Sequence, residues 1–173
     1  MPELIITAVG PDRPGLVGEL TGRVHAQHGN IADSRMVNLR GQFAIIMLVQ
    51  GDAEALTSIQ TDLAAASADM GLTVTVTPQT APRQSVKGVP YRLKTYSMDQ
   101  PGIVHRVSDL LRAHGVNIEE AQTRLESAPF AGEPLFTMDM RLTVPAKTPV
   151  RQLRSELEQL CDQLNCDVDL EPA

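Results

Sequence analysis

Hydrophobic positions along this chain change period, and they do so twice in the same order. Ile5–Val9 is a short apolar run rich in β-branched residues, which predicts a buried strand. From Leu16 the period lengthens. Leu16, Val17, Leu20 and Val24 recur at helical spacing, with Pro14 at the first turn, where a missing N–H costs nothing, and Gly29 as the stop. Residues 31–40 and 42–50 predict two strands joined tightly at Gly41, the second carrying the buried run Ala44–Val49. Asp52 predicts the N-cap of a helix that buries Leu56, Ile59, Leu63 and Met70. Thr73–Thr77 alternates threonine with valine, a strand with one wet face. The order is βαββαβ.

The same order returns after residue 90. Tyr91–Tyr96 predicts a strand, and Ile103, Val104, Val107, Leu110 and Leu111 form a helical stripe. Residues 116–126 predict the next strand. Phe136, Met138, Met140, Leu142 and Val144 then alternate with Thr137, Asp139, Arg141 and Thr143 at period two. Thr148 predicts a cap with Pro149 at the first helical position, and Val150, Leu153, Leu157, Leu160 and Leu164 line that helix. Val168 and Leu170 mark a last strand. The two passes align at a fixed offset of 87: Asp12 falls on Asp99, Pro14 on Pro101, Gly15 on Gly102, Asn30 on Asn117 and Ile31 on Ile118. The glycine near the end of the first helix slips by one place, Gly29 against Gly115.

This repeat predicts an α+β chain of two ferredoxin-like βαββαβ domains in tandem, residues 1–80 and 90–173, each an antiparallel four-stranded sheet with both helices on one face. The proline-bearing stretch 78–90 reads as the connection, with 81–89 as the linker proper. Residues 127–134 lengthen the second hairpin, as a surface insertion or as a loop that contacts a partner. The sheet face without helices must be solvated or covered, by the other copy or in a homodimer of the whole chain.

Charge narrows the partners. The chain has a net charge of −6 over 173 residues; residues 1–81 hold four basic and eight acidic side chains, and residues 82–173 eleven and thirteen. Neither half can neutralise a phosphate backbone as a basic module does, which argues against direct nucleic-acid binding. No apolar run approaches the ~20 residues of a membrane helix, and the N-terminus lacks a secretory signal pattern. A cytoplasmic protein with no membrane partner is expected. Cys161 and Cys166 have no companion ligands for zinc and read as buried thiols. His25 and His28, three apart on one helix, lack a carboxylate at matching spacing, so no metal site is expected. Neither a phosphate-binding glycine loop nor a nucleophile elbow occurs, and no cofactor or catalytic residue is expected. The same fold plan hosts acylphosphatases, but Arg13 is the one arginine near the first turn and Gln100 replaces it in the second copy.

The candidate chemistry lies in the turn from first strand to first helix, Gly10–Gly15, and its twin Ser97–Gly102. Uncapped N–H groups and the positive end of a helix suit a carboxylate. Gly15 and Gly102 let a ligand approach the backbone, Asp12 or Asp99 can meet an ammonium, and Asn30 or Asn117 supplies both donor and acceptor. A zwitterionic amino acid needs such a set. The alternative is that Asp12 and Asp99 bond their own turn backbone.

Asp-x-Pro-Gly before a helix, followed by Asn-Ile at the next strand, resembles the ACT domain in both copies. The segment ITAVGPDRPGLVGELTGRVHAQHGNI and the hairpin strand PLFTMDMRLTVP are similar to the two repeats of the glycine cleavage system transcriptional repressor family. The resemblance implies a non-enzymatic regulator that binds a small amino acid, with glycine as a candidate, at a domain–domain interface. Its contacts would come from Asp12, Gly15, Asn30, Asp99, Gly102 and Asn117. It also implies control of a transcriptional regulator by protein contact. The alternative is an ACT pairing module that binds no ligand. In one departure, Gly10 and Ser97 stand where some amino-acid-binding ACT domains carry a bulkier polar residue.

Overall fold

Alternation of buried and exposed positions builds the first sheet. The computed structural model describes residues 2–79, 87–98, 100–127 and 134–173. In β1 (Glu3–Pro11) Leu4, Ile6 and Ala8 are buried, and in β3 (Gln42–Gln50) Phe43, Ile45, Met47 and Val49 are. With β2 (Asn30–Leu39) and β4 (Thr73–Gln79) they form an antiparallel sheet in the order β2-β3-β1-β4. The helices α1 (Leu16–Ala26) and α2 (Ala53–Ala66) contribute Leu16, Leu20, Val24, Ile59 and Leu63 to the same core. The second unit repeats the plan with β5 (Gly88–Met98), α3 (Ile103–Ala113), β6 (Asn117–Ser127), β7 (Pro134–Pro145), α4 (Val150–Gln163) and β8 (Cys166–Pro172), in sheet order β6-β7-β5-β8. Its core gathers Leu93, Ile103, Val107, Met138, Met140 and Leu157. The chain thus divides into two compact units, residues 1–83 and 84–173, each α+β and ferredoxin-like.

Several local expectations change. Neither helix begins at its proline. The glycine after it is the N-cap, at φ 94° for Gly15 and 98° for Gly102, values no helical residue adopts, so the helix starts one residue later. Val17 and Val104, counted in the apolar stripes, are exposed at 41% each, because the buried face recurs every four residues from Leu16 and from Ile103, and the next residue lies off it. Met70 is buried but follows the end of α2. Asp52 does cap α2, accepting the Ala55 N–H at 2.8 Å. Thr148 does not cap α4. Its buried hydroxyl donates to the carbonyl of His114 at 3.1 Å, tying the start of α4 to the end of α3. The strands also reach into the stretch read as a connection, since β4 includes Pro78–Gln79 and β5 starts at Gly88.

The slipped glycine has a structural cause. Both first helices close with paired bonds: His28 N–H to the His25 carbonyl and Gly29 N–H to Val24, then Gly115 to Arg112 and Val116 to Leu111. The left-handed position after the cap is His28 (φ 61°) in one unit and Gly115 (φ 67°) in the other. Gly29 lies one residue further on, where a Cβ would sit 2.6 Å from Ile59 and 2.9 Å from Val24. Gly115 supplies backbone freedom, and Gly29 supplies room.

The sheet faces turned away from the helices differ sharply. On β1, β3 and β4 the first unit presents Ile5 and Thr7, Ile46 and Leu48, and Thr73, Thr75 and Thr77. The second unit has, at the equivalent ladder positions, Arg92 and Lys94, Asp139 and Arg141, and Asp167, Asp169 and Glu171. On the outer strands, Val37 and Leu39 of β2 correspond to Arg124 and Glu126 of β6.

Candidate functional site

The β1–α1 turn is held from below by the neighbouring hairpin. Arg40 (φ 50°) and Gly41 (φ 81°) make a two-residue turn between β2 and β3. The Asp12 N–H donates to the Gly41 carbonyl at 2.8 Å. The Asn38 side-chain amide donates to the Asp12 carboxylate, while its oxygen accepts the Gly41 N–H at 3.2 Å. Asp12 thus anchors its turn to the adjacent hairpin and leaves its own turn backbone unused. Asn38, just before the tight turn, is a partner that the sequence signalled only by its place.

Gly15 and Gly102 end the two turns identically. No side chain caps either helix, and the first backbone bonds are Glu19 N–H to Gly15 and Arg106 N–H to Gly102, both 2.9 Å. A Cβ on Gly102 would meet nothing within 4 Å, and one on Gly15 only a Glu19 oxygen at 3.9 Å. Among the described residues, then, each glycine borders free space, and no side chain caps the first-turn N–H groups at the positive end of either helix.

The electrostatics of the two turns differ. Arg13 grips Glu19 through two parallel bonds of 2.7 Å, and the guanidinium holds the Glu19 carboxyl below its ordinary range. This pair lies across the start of α1, and both ends of Arg13 are committed to it. At the equivalent positions stand Gln100, whose amide turns to the Leu164 carbonyl, and Arg106, which donates to Gln163 at 3.0 Å. The first turn of α3 carries no acid. The offset of 87 that aligns the motifs also places Glu19 on Arg106, a charge reversal visible in the sequence once that pair is compared.

Asn30 and Asn117 do not join these turns within their own units. Asn30 pairs across from Gln50, which lies opposite Glu3 at the start of β1, whereas Asp12 follows the end of that strand. Eight strand steps separate the two ends, about 26 Å. Asn117, opposite Thr143, lies equally far along β5 from Gly102. Its amide donates to Glu119 at 2.7 Å, and Thr143 donates to the same oxygen at 2.7 Å, which together lower the Glu119 carboxyl. Glu119 is the extra residue of a bulge in β6, and Ala32 takes its place in β2. Asp99 and the central hairpin residues 128–133 lie outside the described residues. The residues two places before each aspartate also differ. A Cβ on Gly10 would stand 2.4 Å from the Gly71 carbonyl, whereas the second unit buries Ser97 there, its hydroxyl without a partner among the described residues.

Three open grooves lie elsewhere: about 370 Å³ between α3 and α4, about 350 Å³ beside α1 and Asp62, and about 560 Å³ on the charged sheet face around Arg92 and Arg141. None is lined by Asp12, Gly15, Asn30, Gly102 or Asn117. Among the described residues no group of three metal-ligating side chains could hold an ion, and no helix is long and apolar enough to cross a membrane. Cys161 and Cys166 are free and buried, and burial pushes the Cys161 thiol upward, with contact from Cys166 adding to it.

Comparison with known proteins gives consistent matches. Residues 3–77 match the model of the ACT domain. The chain is 30% identical over 164 residues to the glycine cleavage system transcriptional repressor of Escherichia coli strain K12, a match that covers 94% of this chain and 85% of that one. The crystal structure of an unknown protein from Galdieria sulphuraria superposes with a TM-score of 0.86 at 30% identity, covering 100% and 99% of the two chains. A crystal structure of a candidate glycine cleavage system transcriptional repressor superposes with a TM-score of 0.72 over 98% and 96%; at 22% identity that likeness concerns the fold.

Proposed function

Because the chain belongs to the tandem ACT-domain family of the glycine cleavage system transcriptional repressor, we propose that it is a non-enzymatic regulator that senses a small amino acid, glycine first among candidates, and acts on a transcriptional regulator by protein contact. The family relationship carries the regulatory role. The observation that supports the sensing is the pair of helix starts behind Gly15 and Gly102, each without a side-chain cap and with room beside the glycine.

The two turns are not equivalent in this reading. A ligand carboxylate favours the α3 turn, where Arg106 replaces Glu19 and no acid occupies the first helical turn. Asp99, three residues before Gly102, supplies the partner for the ligand ammonium. Arg13 and Glu19 neutralise each other across the α1 turn, and Asp12 is engaged by Asn38, which suits that turn to structure. Asn30 and Asn117, at the far sheet ends, serve a ligand only as contacts from a different domain than the one whose turn binds it.

Calorimetric titration of the full chain with the common amino acids tests this. Saturable binding of a small amino acid is expected, weakened at least about tenfold by Asp99→Ala. Silence across the panel at millimolar ligand overturns the sensing role. The second reading, an ACT pairing module without a ligand, draws on the Asp12–Asn38 bond and predicts that silence.

A further inference from the structure

The twin sheets serve as controls for each other. They share topology and ladder register, yet at the centre of the helix-free face Ile5, Thr7, Ile46, Leu48, Thr75 and Thr77 of the first unit stand where the second has Arg92, Lys94, Asp139, Arg141, Asp169 and Glu171. A solvated sheet face reads as the second one does, with alternating charges and a bidentate Arg92–Asp139 pair. The first unit leaves Val9, Val37, Leu39 and Ile46 exposed at 43%, 45%, 67% and 45% on one continuous surface. Exposed patches of this size mark interaction sites.

We propose that the helix-free face of the first unit is a homodimer interface, covered by the same face of a second copy of this chain. Two of the charges at its margin are paired within the face, and the third is a carboxylate held by a neutral amide. Arg35 bonds Asp33, and Glu3 accepts the Gln50 amide at 2.8 Å. The face therefore meets its own copy across a twofold axis with one unpaired charge per copy, at the start of β1, where the second unit's face would bring many together. Four strands about 4.8 Å apart and nine residues long cover about 570 Å², so a face-to-face pair buries about 1,100 Å² in total. That clears the area of about 1,000 Å² that a specific interface needs and lies at its lower end, as befits a micromolar dimer. Two twisted sheets pack this way about 10 Å apart, with side chains interdigitating.

Sedimentation of the full chain tests the proposal and does not depend on amino-acid binding. The wild type is expected to be a dimer at tens of micromolar. Ile46→Lys, and separately Val37→Lys on the edge strand, should weaken association by more than about tenfold while thermal unfolding stays cooperative. Tyr96→Lys, at the position equivalent to Val9 in the second unit, should leave the dimer intact. A monomeric wild type overturns the proposal. So does a dimer that survives both lysine substitutions, or one that Tyr96→Lys dissolves, since the face would then be free or the interface elsewhere.

Discussion

Replacing Gly102 with alanine puts a Cβ on a backbone at φ 98°, a conformation that costs an L-residue about 1–2 kcal/mol. Because the added methyl meets nothing, the loss comes from backbone strain alone, and chemical unfolding of Gly102→Ala should show it. Gly10→Ala tests the other kind of glycine. Its methyl would run into the Gly71 carbonyl, so a loss of about 1–3 kcal/mol by overpacking is expected in the same measurement. The Asp-x-Pro-Gly motif was legible as the turn between first strand and first helix, but its geometry was not. A proline just ahead of an apolar stripe favours reading it as the first helical residue, and only the positive φ of the following glycine moves the start. Asp12 was likewise visible as a carboxylate, whereas its acceptance of the Asn38 amide depends on a hairpin turn 26 residues away in sequence.

Elements are joined by a few side-chain bonds whose strength follows pH. In the second unit Arg92 lowers the Asp139 carboxyl, His114 and then Gln152 lower Glu156, and Asn117 and Thr143 lower Glu119. A carboxyl depressed in the folded state stabilises it above its ordinary pKa. That contribution fades as pH falls through the folded value, when protonation removes the acceptor. Thermal midpoints should therefore fall as pH drops below the ordinary carboxylate range of about 4, and Glu119→Gln should flatten that fall. Thr148→Val removes the buried bond to His114 and should cost about 1 kcal/mol of stability by denaturant unfolding. Sequence periodicity located β7 and β4 well because one face of each is buried. It placed β2 within one residue, 31–40 against Asn30–Leu39, through the tight turn at Gly41, since that edge strand is exposed along most of its length and nothing enforces alternation there. The threonine before α4 looked like a cap for the same reason that many do, and its true acceptor belongs to another helix.

At the scale of the whole chain, the repeat was the most legible feature, because two copies of one motif at a constant offset constrain each other. What separates the copies is written in pairs of equivalent residues: Glu19 against Arg106, Ile5 against Arg92, Ala32 against Glu119. These differences leave the first turn of α3 without an acid and give the first sheet its apolar centre. With a net charge of −6, the chain alone is expected not to retard DNA in a mobility assay at physiological salt, as the proposed action through protein contact requires. The central claim is that an amino acid is read by the open helix start behind Gly102. The most direct measurement follows the backbone amides of the full, isotope-labelled chain by NMR during titration with glycine and then the rest of the amino-acid panel. The account predicts saturable shifts at Ile103, Val104 and His105, with smaller ones at Leu16, Val17 and Gly18. Unmoved amides at both helix starts with every amino acid at millimolar concentration would contradict it.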